Sequence, residues 1–190
     1  DLGEYSDEEL EYRKFVKDNY LYVDEELKAY MESIIETNGF DPASTDVIMD
    51  VAKYIQNAAK YNLDYNTEID GAAHPIIAFL TQQEGVCRHF SSAATALYRT
   101  LGIPARYTIG FAGFTESEEW TEITAKQAHA WVEVYIDGYG WYPMEFTSGY
   151  GNVRTAFPTE TTVTETEPVT ESESEEDETT VVQNEDGTDA

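Results

Sequence analysis

From the N-terminus to about Tyr61 the apolar positions recur at helical spacing. Asp7-Glu8-Glu9-Leu10 and Asp24-Glu25-Glu26-Leu27 each place acids where a helix begins, facing the positive end of its dipole. A third helix is predicted after Pro42 and Ser44, with Val47, Ile48, Val51, Tyr54, Ile55 and Ala58 on its inner side. Pro75 suits the first turn of a short helix carrying Ile76, Ile77, Phe79 and Leu80, which Gly85 is expected to break. From Cys87 onward Phe90, Ala93, Ala94, Leu97, Tyr98 and Leu101 form one apolar stripe, closed by Gly102 and Pro104. Cys87 therefore falls in the first turn of an amphipathic helix.

The period then changes from helical to alternating. Tyr107, Ile109 and Phe111 alternate with Arg106, Thr108 and Gly110, and a polar loop follows from Thr115 to Gln127. In the next strand Ala130, Val132, Val134 and Ile136 share one face, and His129, Trp131, Glu133 and Tyr135 share the other. Asp137-Gly138-Tyr139-Gly140 supplies the turn of a hairpin into a strand from Trp141 to Thr147. Helices followed by an antiparallel sheet define an α+β architecture.

Composition limits the partners. Against 11 basic side chains stand 38 acidic ones, a net charge of −27, which excludes nucleic acid as a default ligand. The longest uncharged run, Gly71 to Gln83, is too short and too polar to span a bilayer. A single cysteine excludes an internal disulfide framework and a Cys-rich zinc cluster; no metal constellation and no cofactor motif is expected. Residues 155–190 contain 12 acids, no base and no aromatic ring except Phe157, a composition that cannot bury enough surface to order a chain. The expected organisation is a domain over 1–154, with a helical lead-in at 1–61 and a core at 71–154, then an acidic Thr/Glu-rich disordered tail or linker at 155–190. Such stretches either join modules of surface proteins or serve as simple solubilising tails; the first reading gives the expectation of an extracellular or cell-surface setting with further modules attached through the tail. The start at Asp1, without Met or an apolar export segment, fits a removed leader or a trimmed chain.

Three positions carry candidate chemistry. A thiol at a helix N-terminus is stabilised as thiolate by the helix dipole, as a catalytic cysteine requires, yet Cys87 also continues the apolar stripe as a small buried hydrophobe would. Position alone leaves the two readings level. His129, on the non-aliphatic face of its strand, is by itself more simply a satisfied structural histidine. Whether Glu145 shares that face depends on the hairpin: a three-residue loop puts Glu145 diagonal to His129, and a two-residue loop turns it away. Glu133 shares the face of His129 but lies about 13 Å along the strand, too far to orient the ring. The same residue-by-residue reading leaves His89 partly exposed, Arg106 a solvated strand charge, and His74 a residue that opens the short helix.

The segments Gly85-Val86-Cys87-Arg88-His89-Phe90-Ser91-Ser92-Ala93, Leu101-Gly102-Ile103-Pro104-Ala105-Arg106, His129-Ala130-Trp131-Val132-Glu133-Val134 and Gly140-Trp141 before Glu145-Phe146-Thr147 resemble the transglutaminase-like core family of bacterial type. The resemblance implies a papain-like fold, with the Cys-bearing helix packed on an antiparallel sheet, and a Cys, His, Asp triad in chain order. Those positions match Cys87, His129 and Glu145, the last being Glu where the family usually has Asp. It also implies an oxyanion held by the cysteine's own N–H and by a donor from an upstream loop, for which Tyr65 or Gln83 is available. Trp131 and Trp141 are expected chiefly to pack around the hairpin, and they are the candidates for lining a substrate cleft. The implied activity is that of a thiol-dependent amide hydrolase or acyl transferase, a cysteine peptidase or amidase acting on a peptide or protein amide. The alternative is a non-catalytic surface module that keeps the fold for binding.

Because nothing in the tail matches that core, deleting residues 155–190 is expected to leave the thermal midpoint within about 2 °C of the intact chain. A calorimetric drop of many degrees would show that the tail docks.

Overall fold

The computed structural model describes residues 5–65, 74–113, 120 and 122–149. The expected tail, and positions 115–119 and 121 of the expected polar loop, lie outside the described residues. Three helices come first: α1 (Asp7–Asn19), α2 (Glu25–Asn38) and α3 (Val47–Ala58). The Ser6 side chain caps α1 by accepting the Glu9 N–H, and Asp24 caps α2 by accepting the Leu27 N–H at 3.0 Å. Gly39, at φ 67°, ends α2 in the left-handed conformation that a side chain disfavours. A two-residue strand β1 (Lys60–Tyr61) follows.

Helix α4 (Pro75–Gln82) starts on Pro75 as expected, but it stops at Gln82, not at Gly85. Gln83 takes the left-handed cap at φ 59°, its N–H bonded to the Phe79 carbonyl. Gly85 has a different duty. With Glu84 it forms β2, paired in parallel with β1, and it is buried where a Cβ would stand 2.8 Å from both Phe79 and the His89 ring.

Helix α5 (Cys87–Thr100) is the centre of the molecule. The expected single apolar stripe understates it: Phe90, Ala93, Ala94, Leu97 and Tyr98 are fully buried, and so is Ser91, with Thr95 nearly so. Helices α2, α3 and α4 lie against it, as do strands β3 (Ala105–Phe111) and β4 (Ala128–Ile136). A helix enclosed by both helices and sheet buries its hydroxyls only because each is bonded: Ser91 donates to the Ala130 carbonyl at 2.9 Å and Thr95 to the Ser91 carbonyl at 2.8 Å. Tyr98 likewise donates to the Ile48 carbonyl of α3 at 2.7 Å and packs edge-on against Phe146.

The sheet has the order β3-β4-β5, antiparallel throughout, with β5 (Gly140–Met144) joined to β4 by a hairpin. Register pairs Ala105 with Val134 and Gly110 with His129 on one side, and Val132 with Met144 and Ile136 with Gly140 on the other. The last strand is shorter than the expected Trp141 to Thr147. Pro143 offers no N–H to a ladder, and the Thr147 N–H is taken by the Glu145 side chain, so the chain leaves the sheet after Met144. No helix among the described residues is long and apolar enough to cross a membrane.

Tyr98→Phe removes the bond that ties α5 to α3 while preserving the ring. It is expected to cost about 1 kcal/mol, read as a lower urea midpoint at unchanged m-value.

Candidate active site

The position of Cys87 is set from its own helix and from the residues before it. Val86 is extended at φ −120° and ψ 174°, so Cys87 opens α5 as its first helical residue, partly buried. One helical turn on, Ser91 is fastened to the Ala130 carbonyl, next in chain to His129. This bond ties the first turns of α5 to the start of β4 and brings the cysteine's end of the helix to the histidine's end of the strand.

The hairpin determines the third member. Ile136 pairs with Gly140, so the loop is Asp137-Gly138-Tyr139, three residues long. With an odd loop the register, continued one step past Met144, sets Glu145 opposite Trp131 and diagonal to His129, on the same face. The side chains meet: Glu145 Oε2 lies 2.5 Å from His129 Nε2. Glu145 Oε1 accepts the Thr147 N–H at 2.7 Å, and the Glu145 carbonyl accepts from Gln56 of α3 at 3.2 Å. The longer Glu side chain is thereby held at both carboxylate oxygens and at its backbone, which compensates the extra rotatable bond it has over Asp. The His129 side chain is 5% exposed and that of Glu145 22%, so the contact is shielded from the water that weakens surface pairs.

An open cleft of about 300 Å³ lies along this face, lined by Phe111, Ala112, His129, Trp131, Pro143, Met144 and Glu145; Cys87 is not among its lining residues. Trp131 fits there because its diagonal neighbour on β3 is small: a Cβ on Gly110 would stand 2.7 Å from the Trp131 ring. Gly110 is the residue paired with His129, so the indole and the imidazole are adjacent. Trp141, the other cleft candidate, does not line the cleft and packs beside the hairpin. It donates to the Tyr12 hydroxyl at 2.7 Å, meets Tyr20 and Tyr135 edge-on, and carries the Arg106 guanidinium 4.3 Å above its ring. Arg106, expected as a solvated charge, is instead paired with Glu133, its partner across the strands.

The oxyanion candidates also find definite positions. The Tyr65 hydroxyl accepts from Arg88, beside Cys87, and its ring meets His89 edge-on at 4.6 Å. The Gln83 side chain is exposed, and its backbone carbonyl accepts the Lys60 N–H at 2.9 Å. His74 caps α4 through the Ile76 N–H and pairs with Asp24.

Two neighbours of the cysteine have roles that the sequence did not signal. Tyr107 has its phenol pushed up by burial and further by its electrostatic interaction with Cys87, with Arg88 opposing, which sets Tyr107 near the thiol. Strand alternation marked it as a β3 residue but carried no sign of that proximity. His89 is partly exposed, in keeping with the sequence reading, and its Nδ1 accepts the Val86 N–H at 3.1 Å. A side chain at the third helical position reaching back to the residue before the helix is a capping-box arrangement, usually made by Glu or Gln, so the histidine does not stand out as a cap in the sequence. Among the described residues, no three His, Cys, Asp or Glu side chains converge as a ligand set for a metal ion.

A mixed fold with a cysteine opening its central helix, and a His–carboxylate pair on the adjoining sheet, defines a papain-like class of protein. The sequence pattern of the transglutaminase-like superfamily matches residues 28–146, more than half of the chain, and the protein belongs to that superfamily. An uncharacterized protein of Bacillus subtilis, YebA, is 40% identical over 74 residues, covering 36% of this chain and 10% of YebA. This chain thus corresponds to about a tenth of that relative. Two solved structures share the fold. The periplasmic domain of TgpA from Pseudomonas aeruginosa, bound to ethylmercury, aligns at a TM-score of 0.55 and 19% identity, over 70% of this chain and 48% of that one. A "putative cysteine protease" from Cytophaga hutchinsonii aligns at 0.50 and 23% identity, over 67% and 40%.

Gly110→Ala is expected to displace the Trp131 ring, changing tryptophan emission and costing about 1–3 kcal/mol through overpacking. Unchanged emission at unchanged stability would mean that the ring does not lie over Gly110.

Proposed function

We propose that the protein is a thiol-dependent amide hydrolase, a cysteine peptidase or amidase, with Cys87 as nucleophile, His129 as acid and base, and Glu145 as the group that orients the imidazole. The observation that carries this reading is the Glu145 Oε2 to His129 Nε2 contact of 2.5 Å on the sheet that Ser91 docks against the cysteine's helix. A carboxylate on Nε2 favours the tautomer with its proton there, which leaves Nδ1 as the nitrogen that exchanges protons with the thiol. Membership of the superfamily and the shared fold of TgpA support the class of chemistry.

In the proposed cycle the Cys87 proton passes to His129 Nδ1. The thiolate adds to the amide carbonyl, and the resulting oxyanion is met by the Cys87 N–H at the positive end of α5. The imidazolium gives its proton to the amide nitrogen as the C–N bond breaks, so the amine leaves and a thioester remains. His129 then takes a proton from water while the hydroxide adds to the thioester; collapse releases the acid and restores the thiolate–imidazolium pair. Trp131, in the cleft beside His129, is the proposed wall for the substrate chain next to the scissile amide. A location outside the cytoplasm is part of the proposal, supported by the Thr/Glu-rich tail composition and by a fold neighbour that is a periplasmic domain.

Thiol reactivity tests the site whatever its substrate, because Cys87 is the sole thiol. At about pH 6 iodoacetamide should alkylate Cys87 at least about tenfold faster than a simple free thiol, and His129→Ala should abolish the advantage. On a fluorogenic peptide-amide library Cys87→Ala should be inert, Glu145→Gln should retain part of the turnover, and folded Glu145→Ala should lose most of it. Equal alkylation profiles in wild type and His129→Ala would sink the proposal. Full turnover in Glu145→Ala would remove Glu145 from it.

A further inference from the structure

The peptide unit joining Gly85 to Val86, immediately before the nucleophile, is held at both ends. Its carbonyl accepts the Asn62 N–H at 2.9 Å, beyond the β1–β2 pairing, and its N–H is donated to His89 Nδ1 at 3.1 Å. In return the His89 N–H is donated to the Val86 carbonyl at 2.8 Å, so residue 89 clasps residue 86 through side chain and backbone together. The imidazole itself has little room to move: it stacks on Phe79 at 5.7 Å and 20°, and Tyr65 stands edge-on to it at 4.6 Å. Even the absence of a side chain at residue 85 belongs to this arrangement, since a Cβ there would meet His89 Nδ1 at 2.8 Å.

We infer that His89 is a positioning residue for Cys87, its Nδ1 fixing the Gly85–Val86 peptide so that the following amide and thiol are aimed toward the His129 end of β4. The inference rests on the thiol chemistry proposed above. The Val86 N–H needs an acceptor of this kind because it lies ahead of the first helical residue, where no intrahelical carbonyl is available to it. The Cys87 N–H, first in the helix, has no intrahelical acceptor and is the proposed oxyanion donor; its direction follows from the orientation of the residue before it. Nδ1 accepts only while it carries no proton. Burial holds the His89 imidazole below its ordinary pKa, and the charge of adjacent Arg88 adds to the effect, so the accepting form persists at neutral pH. The guanidinium of Arg88 is in turn anchored on the Tyr65 hydroxyl.

Two variants separate aiming from mere packing. His89→Phe keeps an aromatic ring between Phe79 and Tyr65 but offers no acceptor. His89→Gln restores the acceptor that a capping box normally uses. With iodoacetamide at pH 7, folded His89→Phe should alkylate about tenfold more slowly than wild type, and His89→Gln should recover to within about threefold. Imidazole ¹⁵N spectra of the wild-type protein provide a readout without substitution: His89 should be neutral with its proton on Nε2. The inference is overturned if folded His89→Phe reacts as fast as wild type, if His89→Gln stays as slow as His89→Phe, or if Nδ1 carries the proton. Should His89→Phe fail to fold, His89→Gln and the spectra decide. A wild-type thiol no faster than a free one, or a His129→Ala variant equal to wild type, would instead sink the triad reading, an outcome distinct from each of these.

Discussion

Everything in the site follows from the burial of α5. A helix enclosed on nearly all sides cannot rotate or slide without opening voids or stranding its hydroxyls, and Ser91 and Thr95 make that penalty specific, since each has one acceptor in place. The Ser91 bond ties the helix to Ala130, and Tyr98 ties its far half to α3. With the helix so fixed, its first residue has one position relative to β4. The cysteine is placed by packing that lies several residues away from it.

The sheet contributes a constraint of a different kind, parity. Three residues between Ile136 and Gly140 bring the face of Glu145 to the face of His129. One residue fewer would turn the carboxylate to the other side of the sheet, and no side-chain length could correct it. Within the correct face, length is adjustable, and here the longer acid is braced by the Thr147 N–H and its backbone by Gln56. Both restraints hold the carboxylate against the His129 ring.

The legibility of these features in the sequence follows the range of the interactions behind them. Helix starts at Asp7, Asp24 and Pro75, the strand faces of β3 and β4, and the Cys87 helix were readable because first-turn residues and periodicity act within a few residues. The His129–Glu145 meeting was readable as one of two alternatives, since hairpin parity is local but loop length is not settled by composition. What could not be read depends on contacts distant in sequence. Gly85 looked like a helix breaker, whereas it is a strand partner of Tyr61. Arg106 looked solvated until Glu133 and Trp141 were brought to it from the other strands. Residues 28–146 carry the family pattern, so the family was legible even where the individual roles were not.

The way the site is divided along the chain has a further consequence. His129 and Glu145 sit on one hairpin, sixteen positions apart and joined by a short turn, and so they belong to a piece that pairs within itself. Cys87 belongs to a different piece, whose place against that hairpin depends on the long-range docking of α5 on β4. A nascent or partly unfolded chain can therefore carry the acid–base pair and the thiol without bringing them together. Under the proposed chemistry, the reactive centre is complete only when the core is, so the fold itself keeps an immature chain from attacking its neighbours.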